Sequence, residues 1–187
     1  MNNDLLKSHA KSFYWAGFFL SKDTYSKCSA LYNFCRTLDD IADSSEKLEI
    51  KKQKFLKFKN NFLNKNFDNL IIKSVWKVVD DVNISQKVVL DLFDGVETDL
   101  NESVKIRSKK NLLVYSYRVA GTVGLMMSKI LKVHNKESLK GAIDLGIAMQ
   151  LTNIARDVVE DKDRKREYIE HTLSSIKETI HNAEFFY

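Results

Sequence analysis

Apolar residues recur along this chain at spacings of three and four. Leu31, Phe34, Leu38 and Ile41 form one such stripe, Phe55, Phe58 and Phe62 a second, and Leu151, Ile154 and Val158 a third. That period is what a helix burying one face requires. It predicts seven or eight helices, over roughly 4–20, 23–43, 46–66, 68–81, 84–103, 108–133, 137–166 and 171–187. Asp23 is expected to cap the second helix, and the S-S-E at 44–46 to stop it and start the next. The helix over 46–66 is rich in lysine. It reads first as an exposed amphipathic helix, with a membrane-touching or anion-binding role as the alternative. Gly121 and Gly124 interrupt the helix over 108–133 and are read as packing positions, or as room for a ligand chain.

Composition narrows the class. The 187 residues include no proline and only six glycines. Sandwiches and barrels need turn residues at short intervals, so an all-α fold is expected. The length suits one domain with a core of its own, and 44% apolar with 29% charged residues is ordinary globular composition. A net charge of +5 suits an anionic partner without selecting one. The basic residues are dispersed and form no RNA- or DNA-binding motif, so no nucleic-acid partner is expected. Cys28 and Cys35 lack metal or redox spacing and read as buried free thiols in a reducing compartment. The N-terminus has no signal-peptide pattern, and the apolar run over 13–20 is far shorter than the ~20 residues of a spanning helix. A cytoplasmic protein, with at most a peripheral membrane contact, is the expectation.

Two polar constellations carry candidate chemistry. Tyr32, Arg36, Asp39 and Asp43 follow steps of four, three and four and share one helical face. Gln150, Asn153, Asp157 and Asp161 follow steps of three, four and four on another, with Tyr168 two turns further on if the helix continues. Carboxylates at i and i+4 repel, and burial makes them costly unless a counter-charge is present. An oxygen-only donor set without His or Cys points to a hard cation, Mg²⁺ first, with Mn²⁺ as substitute. Mg²⁺ is usually held by one or two carboxylates together with substrate phosphates. Two acidic faces turned toward each other across a cavity would suit a metal-bound diphosphate.

On these residues the sequence resembles the squalene and phytoene synthase family. H-A-K-S-F-Y-W-A over 9–16 is similar to the family's opening helix, and C-R-T-L-D-D-I-A-D over 35–43 to its first aspartate-rich motif. Y-S-Y-R-V-A-G-T-V-G over 115–124 resembles its central helix. Q-L-T-N-I-A-R-D-V-V-E-D over 150–161, followed by R-E-Y, resembles its second aspartate-rich motif. The resemblance implies an all-α isoprenoid synthase bundle around an apolar cavity, joining two polyprenyl diphosphates head to head. It implies metal ligation by Asp39, Asp43, Asn153, Asp157 and Asp161, and a catalytic part for Tyr115. Lys11, Ser12, Phe13, Tyr32, Arg36, Gln150, Asn153, Arg166 and Tyr168 are implied substrate contacts. Phytoene from two geranylgeranyl diphosphates is favoured. Squalene, presqualene diphosphate or dehydrosqualene from farnesyl diphosphate is the alternative, with NADPH needed only for squalene. A chain-elongating synthase, a terpene cyclase and a non-catalytic scaffold are competing readings.

The sequence departs from the family pattern in two places. Ile169 stands where a proline usually follows the Tyr. The family's further helices beyond the second motif are also missing, so a C-terminally truncated member with weak or no activity is expected.

Overall fold

A computed structural model describes Gly17 and residues 19–187. The helix expected over 4–20, with Lys11, Ser12 and Phe13, lies outside the described residues except for its end. The described chain is all-α apart from two strands of two residues each, as the sequence predicts. It forms two compact units: one from the described residues up to Gln86 together with Lys129–Lys132, the other from Lys87–Ser128 and Val133–Tyr187.

The first unit contains α1 (Lys22–Asp43), α2 (Leu48–Leu63) and α3 (Leu70–Asp81). Ser21, not Asp23, caps α1, its hydroxyl accepting from the Thr24 amide at 3.2 Å; Asp23 sits in the first turn, where its charge favours the helix dipole. The predicted stripe is the core face: Leu31, Phe34 and Leu38 are buried, with Ala42 completing the stripe in place of the half-buried Ile41. They meet Phe58 and Phe62, whose ring centroids lie 5.6 and 5.7 Å from that of Phe34. Trp76 of α3 stacks on Phe62 at 4.8 Å and donates its indole N–H to the Phe62 carbonyl at 2.8 Å. A buried Trp thus gains a partner for its only donor.

In the second unit α4 (Gln86–Thr98), whose first residue belongs to the first unit, is followed by β1 (Val104–Lys105) and α5 (Lys109–Ser116). Next come a π-helical stretch, Tyr117–Gly121, and α6 (Thr122–Ile130), whose last two residues belong to the first unit. The expected interruption of this long helix is therefore a widened turn, not a break. Then follow α7 (Lys136–Arg156), α8 (Val158–Asp163), β2 (Arg166–Glu167) and α9 (Leu173–Glu184). The helices expected over 84–103 and 137–166 are both shorter than periodicity suggests. The first gives way to a turn that leads into β1 and the second stops short of β2; the two strands pair in parallel, Val104 opposite Arg166.

Helix ends without glycine or proline need another device. Lys65, Asn83, Lys132 and Lys165 take positive φ, the left-handed conformation that stops a helix. Lys165, at φ 58°, turns the chain out of α8 into β2. Glycine does a different job between helices. A Cβ on Gly146 would lie 2.5 Å from the Ala120 carbonyl oxygen of the π-helical stretch, and one on Gly124 would strike that of Ala142. Backbone touches backbone there, so Gly124 is a packing position and Gly146 joins it.

Candidate functional site

On α1, Tyr32, Arg36, Asp39 and Asp43 share a face as expected. Tyr32 and Arg36 are half-buried; Asp39 and Asp43 are exposed. Arg36 pairs with Asp40 at 2.8 Å, while its Nε is buried without a hydrogen-bond partner. Burial pushes the Tyr32 hydroxyl up, against the opposing Arg36 charge.

The second acidic face has a different setting. α7 ends at Arg156, and Asp157 bends the chain before α8 begins. The Asp157 amide still donates to Asn153 O, and the Asp161 amide to Asp157 O, both at 2.8 Å. The helical ladder therefore survives the bend, and Gln150, Asn153, Asp157 and Asp161 stay in register, all half-buried. Arg156 grips Asp157 through Nε and Nη2 at 2.7 and 2.6 Å and holds its carboxyl below the usual range. Burial instead raises Asp161 to about 6. Asp157 and Asp99 push the same way, and Arg166 and Arg164 oppose them.

Tyr168 arrives by a route the helical reading missed. β2 alternates, so Arg166 and Tyr168 turn to one side and both are buried. With Ile154, Val158 and Asp161 they line a shallow depression. Tyr168 stacks on Tyr115, ring centroids 4.8 Å apart. Between them stands Asp99, just past the end of α4. Tyr115 donates to its Oδ2 at 2.8 Å and Tyr168 to its Oδ1 at 2.6 Å, and the two hydroxyl oxygens are 3.0 Å apart. Burial and the Asp99 charge raise both phenols far above their ordinary range.

Asp99 is the residue that sequence reasoning missed. Its only local sign is a carboxylate following the largely apolar helix V-V-L-D-L-F-D-G-V. Its partners lie 16 and 69 residues away. Among the described residues, no group of three or more His, Cys, Asp or Glu side chains gathers closely enough to hold a metal ion unaided. No helix among them is long and apolar enough to cross a membrane.

The sequence model of the squalene/phytoene synthase family matches residues 6–173. The chain is 31% identical over 189 residues to the 15-cis-phytoene synthase of Pantoea ananas, covering 90% of this chain and 61% of that protein. It is 30% identical over 195 residues to the bifunctional lycopene cyclase/phytoene synthase of Phycomyces blakesleeanus, covering 88% of this chain and 32% of that one. It therefore spans less than two thirds of the length of these relatives. A crystal structure of a dehydrosqualene synthase in complex with ligand aligns at a TM-score of 0.80 and 26% identity, over 97% of this chain and 71% of that one. A squalene synthase from Alicyclobacillus acidocaldarius shares the fold at a TM-score of 0.79 and 16% identity, over 97% of this chain and 77% of that one. The chain belongs to the squalene/phytoene synthase family.

Proposed function

We propose that this chain carries out the Mg²⁺-dependent head-to-head condensation of two polyprenyl diphosphates. Two geranylgeranyl diphosphates would give phytoene through a cyclopropylcarbinyl diphosphate, a step of carotenoid biosynthesis. The observation that carries the reading is the second acidic face. Its oxygen-bearing side chains stay in helical register across the bend at Asp157, and one carboxylate is desolvated beside the charges of two others. A hard cation would offset the desolvation of that carboxylate. Asp39 and Asp43 in one unit, and Asn153, Asp157 and Asp161 in the other, are the residues to hold Mg²⁺, with Mn²⁺ as substitute. Ions held by these residues would neutralise the charge that develops on a departing diphosphate.

The chain's own groups do the rest. Arg36, Arg166 and Lys11 supply charge-assisted contacts to phosphate oxygens, with Ser12 and Gln150 as neutral partners. The Arg36–Asp40 pair is solvent-exposed, so exchanging it for a phosphate costs little. Tyr32, Tyr115 and Phe13 offer ring faces to an allylic cation. Asp99 keeps both O–H protons of the tyrosine pair turned toward itself and keeps the phenols neutral. A phenolate would capture the cation as an aryl ether; a neutral ring stabilises it without bonding.

The phytoene synthases among the relatives support the C40 product. The dehydrosqualene synthase at 26% identity supports a second reading, two farnesyl diphosphates to a C30 product, with NADPH required only if squalene is formed. The test is incubation with geranylgeranyl or farnesyl diphosphate, with and without Mg²⁺ and NADPH, followed by mass analysis. A C40 hydrocarbon that needs Mg²⁺ and no NADPH is expected. A C30 hydrocarbon selects the second reading. A cyclised C20 product, or a product indifferent to divalent ions, overturns both.

A further inference from the structure

We propose that the outer face of α2 is a docking surface for an anionic lipid bilayer. Residues 47–65 hold seven lysines and one glutamate, a local surplus larger than the net +5 of the whole chain. The inner side of the helix is taken by Phe55, Phe58 and Phe62. On the outer side Leu56 is 51% and Leu63 41% exposed. Together with Lys52 and Lys59 they form one stripe at steps of four, three and four. Beyond the helix the chain continues through Phe67 and Leu70, 46% and 74% exposed.

Charge and apolar area coincide on this face, and much of the charge is not consumed within the protein. Lys54 is bound to Glu46 at 2.6 Å, Lys51 donates to the Ala42 carbonyl at 3.1 Å, and Lys59 and Lys65 lie 5.8 and 4.0 Å over the Phe55 and Trp76 rings. Lys52 and Lys57 make no ion pair among the described residues and stand in solvent. Exposed leucines interleaved with lysines are what an interfacial helix presents: ammonium groups to lipid phosphates, apolar side chains to the acyl boundary. A nucleic acid would use the lysines and leave the leucines in water. A bilayer uses both. The proposal is independent of the reaction assigned above.

The test is sedimentation of the full chain with phosphatidylcholine vesicles and with vesicles containing phosphatidylglycerol. Binding is expected only to the anionic vesicles, weakening as salt screens the lysines. Lys52→Glu with Lys57→Glu should lower the partition coefficient roughly tenfold or more. Leu56→Gln with Leu63→Gln should lower the binding that persists at high salt, and circular dichroism should show both variants folded. Failure to bind, or equal binding to neutral vesicles with the lysine variant unaffected, overturns the proposal. A single-stranded RNA bound through the lysines with no effect of the leucine variant would assign the face to nucleic acid instead. A concentration-dependent dimer abolished by the leucine variant would assign it to a second copy.

Discussion

Two stretches of this chain share one spelling, a pair of aspartates four residues apart, and place them in opposite environments. On α1 the pair rides an unbroken helix whose apolar side is sealed against an aromatic core, and Asp39 and Asp43 are exposed. At the junction of α7 and α8 the pair straddles a bend: Asp157 is gripped by its neighbour Arg156, and Asp161 is desolvated near the Asp99–tyrosine pair. The spacing i, i+4 fixes only that two carboxylates share a face. Water access and the nearest fixed charge decide what each can do. Asp39 and Asp43 are open to water, whereas beyond the bend Asp161 carries an electrostatic cost when charged.

The comparison breaks most visibly through activity. Asp39→Asn and Asp157→Asn should each lower product formation by about a thousandfold or more, since both remove a ligand for the ions that neutralise the leaving group. Steady-state assays at saturating Mg²⁺, with circular dichroism to confirm unchanged helix content, check this. Full activity in either variant removes that stripe from the metal site.

Next in size is Asp99. Asp99→Ala leaves two buried phenol hydroxyls without their acceptor, at a cost of about 3 kcal/mol. At roughly 2–4 °C per kcal/mol for a chain of this size, the melting temperature should fall by about 6–12 °C. Asp99→Asn keeps one acceptor oxygen and should fall about half as far. Calorimetry decides, and a melting temperature unchanged in the alanine variant would mean that Asp99 does not hold the pair. A smaller loss is expected where α7 meets the π-helical stretch. Gly146→Ala forces a methyl against the Ala120 carbonyl and should cost about 1–3 kcal/mol, read as a lower urea midpoint at unchanged slope.

Much of this was legible in the sequence, and the remainder was not for identifiable reasons. The span of α1, the core positions Leu31, Phe34 and Leu38, and the shared face of each stripe follow from a repeat of 3.6 residues and survive in the structure. The end of α8 does not follow, because Lys165 stops it in a left-handed conformation for which a chain poor in glycine and free of proline gives no warning. Continuing that helix through Arg166 misplaces Tyr168; two residues of strand turn it back to Tyr115. Asp99 was invisible for a deeper reason. A hydrogen bond spanning 69 residues leaves no periodic trace, so local pattern cannot separate Asp99 from any other acid beyond a helix end.

The sharpest difference between the stripes is also the smallest in energy. Asp161 is raised to about 6 in the folded chain, against about 4 for an unfolded aspartate. A carboxyl raised by folding makes the native state less stable wherever it is charged. The cost is fully present above pH 6 and disappears below about pH 4, where both states are protonated. Asp161→Asn cannot charge, so in EDTA it should be the more stable protein at pH 7.5 and indistinguishable from the parent at pH 4. Discounted for partial exposure to water, the gain is about 1 kcal/mol, or roughly 2–4 °C in melting temperature. Mg²⁺ should narrow the gap by stabilising only the parent, whose charged Asp161 it can bind. A melting temperature that is the same for both proteins at every pH would show that Asp161 is not desolvated, and the contrast between the stripes would collapse.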